Sequence, residues 1–238
     1  MLIGAGSPAD VDEVHILLAQ SFPPAELLDR ETLAVDVAAG SSRLTVARDE
    51  NGALLGVAVL DLYPAVAAAG LSYLAVHARS RGLGTGRALC AQLEDEFRSG
   101  SEFQVVFLEI EFPDAPASAE FGDPPRRVAF YARLGIRIVD VPYFQPGLAG
   151  GPRVPMMLGV AYTAPTAVDT DGNRLAVPGA LRRFVLDNLV SMEGIFDPDD
   201  PETEALLAAA RVAGGPRLLD LAAIAAGTVP APGHRPHA

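Results

Sequence analysis

The chain has 238 residues, half of them hydrophobic, and carries a formal net charge of −12. This length fits one large domain or one domain with a small appendage. The excess of acidic over basic residues argues against nucleic acid as a partner, because Lys and Arg bind the nucleic-acid backbone. It is compatible with a cationic or amine-bearing substrate.

The sequence carries no signal for a membrane, for secretion or for a metal. No segment approaches the ~20 uninterrupted apolar residues of a membrane span, and residues 1–6 lack the basic and apolar regions of a signal peptide. Cys90 is the one cysteine, which excludes an intrachain disulfide and a cysteine-based zinc site. We therefore expect a cytoplasmic protein that binds no metal and no membrane.

Hydrophobic periodicity and turn residues predict a series of helices and strands. Ser7 and Pro8 suit the start of the first helix, and Asn51-Gly52 between two apolar runs indicates a β-hairpin. The predicted elements, in chain order, are helices over 8–20 and 25–38, strands over 44–48, 54–62 and 71–76, a helix over 87–98, a strand over 104–112, a helix over 126–134, strands over 136–141 and 154–163, and helices over 180–192, 202–212 and 216–226.

This order predicts an α/β fold with a mixed rather than all-parallel sheet. We assign residues 1–163 to the main domain and residues 164–177 to a linker or hairpin. Residues 178–227 are interpreted as a helical extension and residues 228–238, rich in proline, as a disordered tail. Three roles are left open for the extension: packing on the main domain, covering a substrate site, or mediating a homodimer.

A glycine-rich turn follows the strand over residues 71–76 and opens the helix over 87–98. Glycines let the backbone approach a ligand closely, and a helix N-terminus offers unpaired N–H groups and a positive dipole end. Arg79, Arg81 and Arg87 add local positive charge. The segment therefore suits a pyrophosphate, with a tight turn at a helix start as the structural alternative.

Two other phosphate-binding motifs fit this turn less well. A dinucleotide-binding turn usually follows the first strand of a parallel sheet, whereas this turn follows a predicted hairpin. A P-loop carries a lysine followed by Ser or Thr, which this turn lacks.

At Arg81, Gly84 and Gly86 the turn resembles the cofactor motif Arg/Gln-x-x-Gly-x-Gly/Ala of the GNAT superfamily, the Gcn5-related N-acetyltransferases. The segment 74–77 is similar to the family's central strand. The resemblance implies a mostly antiparallel central sheet flanked by helices, here with a C-terminal helical extension, and acetyl-CoA or another short acyl-CoA as co-substrate. The cofactor-binding residues that it implies are Leu74 and Val76, through main-chain bonds to pantetheine, and Arg81, Gly82, Leu83, Gly84, Thr85, Gly86 and Arg87, around the pyrophosphate.

Phe130-Tyr131, followed by Gly135 and Ile136, resembles the family's second cofactor motif. In the family this tyrosine lies near the CoA sulfur and can protonate the departing thiolate, which benefits from a positioned proton donor. The resemblance gives that role to Tyr131. The alternative is a tyrosine packed on a buried helix face.

Glu109 and Glu111 lie two positions apart in a predicted strand, so both point to one face. Two carboxylates on one face of an interior strand are costly unless they face a cleft or find partners. They are our candidates for the base that deprotonates an amine and for a negative site that attracts it. Ion pairing with Arg126 or Arg127, or exposure at the strand end, is the alternative.

Tyr73 either lines the acceptor site or packs in the core. Residues 142–147, with two prolines and two aromatic residues, either fold over the acceptor cleft or connect two strands. Cys90 is interpreted as a small apolar residue on its helix, not as a nucleophile.

The function predicted from this resemblance is direct transfer of an acetyl group from acetyl-CoA to a primary amine of a small molecule. Two alternatives stay open at this point. One is a catalytically weak acyl-CoA-binding module with a regulatory role, and the other is acylation of a hydroxyl or of a protein side chain.

Overall fold

The computed structural model describes residues 1–100, 102–117, 123–148, 151–194 and 197–233, and the side chain of Ala25 lies outside that description. The chain forms two compact units, the first of residues 1–64 and 69–102, the second of residues 65–68 and 103–238. Each unit contains mostly antiparallel strands flanked by helices, which confirms the predicted mixed α/β fold class.

Four neighbouring strands and three helices form the first unit. In chain order they are β1 (Leu2–Ala5), α1 (Val11–Ala19), α2 (Arg30–Ala39), β2 (Ser42–Arg48), β3 (Leu54–Tyr63), β4 (Ala68–Val76) and α3 (Thr85–Arg98). The Asn51-Gly52 hairpin is confirmed, since β2 pairs antiparallel with β3 and Gly52 has a φ of +85°. Apolar residues of α1 and α2, including Val14, Leu18 and Leu33, pack against β2 and β3 in one core.

Two N-terminal elements differ from the predictions. The helix predicted over 25–38 begins at Arg30, because the Asp29 carboxylate accepts a hydrogen bond from the Thr32 N–H at 2.9 Å and caps the helix there. Strand β1 was not predicted. Its four residues are mostly exposed and show no alternation, so its position depends on antiparallel pairing with β2.

Four strands of the second unit pair antiparallel with their neighbours in the order β5 (Val105–Ile110), β9 (Met157–Thr163), β6 (Arg137–Val139) and β10 (Leu218–Asp220). Its elements in chain order are β5 (Val105–Ile110), α4 (Pro124–Arg133), β6 (Arg137–Val139), β7 (Phe144–Gln145), β8 (Val154–Pro155), β9 (Met157–Thr163), α5 (Pro178–Glu193), α6 (Pro201–Ala210), β10 (Leu218–Asp220) and α7 (Leu221–Ala225). Strands β7 and β8 pair with each other as a small separate sheet.

The region after residue 178 is mostly helical, as predicted, but the helix predicted over 216–226 was wrong in its first half. Residues 218–220 form β10 beside β6, and only 221–225 are helical. Leu218 and Leu219 are both buried, and a short apolar run of this kind does not distinguish a strand from a helix.

The sequence analysis also assigned the segment 164–177 and the C-terminal segment 228–238. Residues 164–177 contain an isolated antiparallel bridge between Val168 and Leu175. Of the predicted tail, residues 228–233 are described and include the buried Pro232, whereas 234–238 lie outside the described residues.

Candidate functional site

The glycine-rich turn of the first unit leaves the N-terminus of α3 open. Gly82 and Gly84 have φ values of +78° and +87°, in the left-handed region that glycine adopts without strain. Gly84 is the N-cap residue and has no side chain to cap the helix. The Ala88 N–H bonds the Gly84 carbonyl at 2.9 Å, so the N–H groups of residues 85–87 precede the first helical hydrogen bond. An open helix N-terminus of this kind suits an anion.

Three arginines lie within or next to the glycine-rich turn in the sequence. Arg79, Arg81 and Arg87 are exposed, and so is Leu83, at 76% of its surface. The Arg81 Nε donates a hydrogen bond to the Val76 carbonyl oxygen at 3.1 Å. A chain with a net charge of −12 thus carries three arginines within nine residues at this turn.

Gly56, which the sequence analysis did not identify, lets β3 lie close to the turn. A Cβ atom at this position would be 2.9 Å from the Ala75 carbonyl oxygen and 3.1 Å from both Leu89 Cδ1 and Thr85 Cγ2. Thr85 itself is buried. An isolated glycine within a strand is the sequence signal for such a close approach.

The end of β4 alternates in burial. Leu74 and Val76 are half-buried, whereas Tyr73 and Ala75 are buried. The Tyr73 hydroxyl donates to the Glu26 carbonyl at 2.9 Å and accepts from the Leu28 N–H at 3.0 Å. Tyr73 is therefore a core residue that also anchors the connection between α1 and α2.

Glu109 of β5, in the second unit, takes part in a polar cluster. The Tyr143 hydroxyl donates to Glu109 Oε1 at 2.5 Å, and the Asn188 side-chain amide donates to the same oxygen at 3.2 Å. The Asn188 amide also lies 3.0 Å from the Tyr143 hydroxyl oxygen. Tyr143 is buried and the other two side chains are half-buried.

Glu111 has a different partner. Arg127 of α4 donates from Nε to Glu111 Oε2 at 2.6 Å and from Nη2 to Glu111 Oε1, which makes the ion pair bidentate. This is the pairing that the sequence analysis left open for Glu111. Both side chains are partly exposed, 28% for Glu111 and 38% for Arg127.

Tyr131 lies in the last turn of α4 and is half-buried. Its ring contacts Phe130 edge to face, with the centroids 5.2 Å apart. The helix begins at two prolines, which favour the first turn, and ends before Gly135, whose φ is +75°.

Cys90 and Asp61 are two half-buried ionisable groups of the first unit. Burial, together with the charge of Glu94, raises the pKa of the Cys90 thiol to about 11, so the thiol stays protonated at neutral pH. Burial also raises the pKa of Asp61, which accepts hydrogen bonds from the hydroxyls of Ser42 and Ser72. Asp61 links three neighbouring strands, a cluster that its isolated position in the sequence did not indicate.

Among the described residues, no helix is long and apolar enough to span a bilayer. Within the same ranges, no group of three or more His, Cys, Asp or Glu side chains is arranged to hold a metal ion.

A family model described as the acetyltransferase (GNAT) family matches residues 11–136, just over half of the chain. The chain therefore belongs to the GNAT acetyltransferase family. The matched span contains the glycine-rich turn, both glutamates and Tyr131. No curated protein matches the sequence.

Solved structures give the same fold. A GNAT-family protein from Bacteroides thetaiotaomicron, described as an acetyltransferase, is 23% identical with a TM-score of 0.55, over 72% of this chain and 93% of its own. A dodecameric spermidine N-acetyltransferase from Vibrio cholerae is 13% identical with a TM-score of 0.52, over 71% and 96%. An aminoglycoside 6′-N-acetyltransferase in complex with coenzyme A is 20% identical with a TM-score of 0.51, over 69% and 99%.

Proposed function

We propose that this GNAT protein transfers an acetyl or another short acyl group from acyl-CoA to an amine of a small molecule. The observation that carries the proposal is the open N-terminus of α3 at Gly84, with the exposed Arg81 and Arg87 beside it. Unpaired N–H groups, a helix dipole and guanidinium groups together suit a pyrophosphate.

In this proposal the residues from Arg81 to Arg87 hold the pyrophosphate, and the main chain of Leu74 and Val76 holds the pantetheine arm. The Arg81 guanidinium now bonds the neutral Val76 carbonyl. We expect it to exchange this bond for a phosphate oxygen when CoA binds, because a hydrogen bond between two charged groups is stronger.

The reaction needs no covalent enzyme intermediate. The neutral amine nitrogen attacks the thioester carbonyl carbon, the C–N bond forms, and collapse of the tetrahedral intermediate breaks the C–S bond. We propose that Glu109, directly or through water, first takes one proton from the ammonium group and so forms the neutral amine. Tyr131 donates its hydroxyl proton to the leaving thiolate, and the surplus proton of the acylated nitrogen returns to the Tyr131 oxygen. The raised pKa of Cys90 supports direct attack, since a protonated thiol is a poor nucleophile.

A cationic acceptor suits the electrostatics of the chain. The net charge of −12 attracts amines. We propose Glu109 as the carboxylate that binds the ammonium group, since Glu111 forms a bidentate ion pair with Arg127.

A screen of amines with acetyl-CoA, which measures release of the CoA thiol, tests the proposal. The panel includes spermidine and an aminoglycoside, because two proteins of the same fold are named for acetylating them. Amine-dependent thiol release supports the proposal. Tight binding of CoA without amine-dependent release would instead favour an acyl-CoA-binding module.

A further inference from the structure

The polar cluster around Glu109 includes residues from outside the span that matches the family. That span ends at residue 136, whereas Tyr143 follows β6 and Asn188 lies on α5 of the C-terminal region. Asn188 is 79 positions away from Glu109 in the sequence. The cluster is thus assembled partly by residues that lie outside the span matched by the family model.

Apolar packing fixes the position of Asn188. The rings of Phe184 and Phe107 contact each other with centroids 4.8 Å apart, and both residues are almost completely buried. Asn188 follows Phe184 by four positions, so it lies one turn further on the same helix face. Glu109 follows Phe107 by two positions, on the same face of β5. The aromatic contact therefore sets the register that brings the Asn188 amide to the Glu109 carboxylate.

The hydrogen bonds of the cluster favour the ionised form of the Glu109 side chain. Tyr143 and Asn188 both donate to Glu109 Oε1, and donors directed at a carboxylate stabilise its ionised form.

We infer that Asn188 and Tyr143 are positioning residues that keep Glu109 ionised and oriented to bind the cationic amine of the acceptor. The C-terminal region thereby completes the acceptor site. This inference depends on the proposed function, since it concerns the amine that the enzyme acylates.

Three substitutions separate this role from simple packing. Asn188→Leu keeps the approximate size and removes the amide, Tyr143→Phe removes only the hydroxyl, and Asn188→Asp replaces the amide by a second carboxylate of the same shape. Ser191→Ala, at an exposed position on the same helix, is the matched control. Circular dichroism and the KM for acetyl-CoA check that each variant folds and binds its donor.

We expect Asn188→Leu and Tyr143→Phe each to raise the KM for the amine about tenfold, the effect of losing one hydrogen bond to a charged group, while the KM for acetyl-CoA stays unchanged. In Asn188→Asp the added negative charge raises the pKa of Glu109. The acidic limb of the profile of kcat/KM against pH should therefore move to higher pH. A residue that served packing alone would not shift that limb.

The results that overturn the inference differ from those that overturn the proposed function. A wild-type protein that acylates no amine refutes the proposed function, and the inference with it, before any variant is made. An active wild-type protein whose folded Asn188 and Tyr143 variants keep the acceptor KM and the acidic limb refutes the inference alone. If Asn188→Leu fails to fold, the kinetics of Tyr143→Phe and Asn188→Asp decide whether the inference holds.

Discussion

Glu109 and Glu111 are two positions apart, yet their carboxylates have different partners. Glu109 accepts hydrogen bonds from two uncharged donors, the Tyr143 hydroxyl and the Asn188 amide. Glu111 forms a bidentate ion pair with Arg127. The alternation of the strand predicted that they would share a face, but their partners came from distant segments that alternation does not reveal.

We expect Glu109→Gln to impair catalysis and Glu111→Gln to affect mainly the stability of the fold. Glu109→Gln should lower kcat/KM for the amine by about 10²-fold, because the base and the anionic site are both lost. Glu111→Gln should leave kcat/KM within about threefold and lower the free energy of unfolding by up to ~1 kcal/mol, as for a partly exposed ion pair. Steady-state kinetics and urea denaturation measure both effects, and equal kinetic losses would contradict this assignment.

Tyr131→Phe tests the proton donor. Without the hydroxyl, the thiolate leaves unprotonated, and we expect kcat to fall about 10²-fold. The Kd for CoA should not change, because the ring and its contact with Phe130 remain. Calorimetry measures the Kd, and Tyr63→Phe is the matched control. A kcat equal to that of the wild type would show that Tyr131 only packs.

At the scale of elements, the glycine-rich turn could be predicted well because its signals are local. One continuous segment contains a strand, closely spaced glycines and then apolar residues at helical spacing. In the structure Gly84 is the N-cap residue of α3. Elements whose position depends on distant partners could not be predicted. Strand β1 depends on β2, and β10 on β6.

Gly84→Ala tests the turn as a binding element, with Gly52→Ala as a matched control. The two glycines have φ values of +87° and +85°, and an added Cβ meets nothing within 4 Å at either position. Each alanine should therefore cost about 1 kcal/mol of stability through backbone strain. Only Gly84→Ala should also weaken CoA binding, since only Gly84 lies at the open helix end. Equal CoA affinity in the two variants, measured by calorimetry, would count against the pyrophosphate site.

At the scale of the whole molecule, an ion-pair cluster ties the β7–β8 hairpin region to α5 and α6. Arg153 donates to both oxygens of Glu193, at 2.7 and 2.9 Å, and to Asp200 at 2.5 Å. Its guanidinium carbon also lies 4.4 Å from the centroid of the Phe144 ring. Residues 142–147 are thus held partly by the C-terminal region, which the sequence analysis left without an assigned role.

This cluster makes stability depend on pH in the acid range. The hydrogen bond from Arg153, followed by that from Thr203, lowers the pKa of Asp200 to about 2. A carboxylate with a lowered pKa stabilises the folded state above its unfolded pKa of about 3.9 and loses that contribution as the pH falls toward its folded pKa. The stabilisation from Asp200 should therefore be present at pH 7 and decline between about pH 4 and about pH 2.

Asp200→Asn removes this contribution. We expect the variant to be about 1 kcal/mol less stable than the wild type at pH 7, after allowance for solvent screening. The difference should shrink below pH 4. Urea denaturation at several pH values measures it, and Asp199→Asn, at an exposed neighbouring position, is the control. A difference that is independent of pH would contradict the role given to the Arg153 cluster.

Mass spectrometry of the product formed from isotopically labelled acetyl-CoA and an amine is the most direct test of the proposed activity. Our account predicts that the label appears on the amine nitrogen, with one CoA thiol released for each amine acylated. Label found only in free acetate, or in no product although CoA binds, would contradict acyl transfer to an amine.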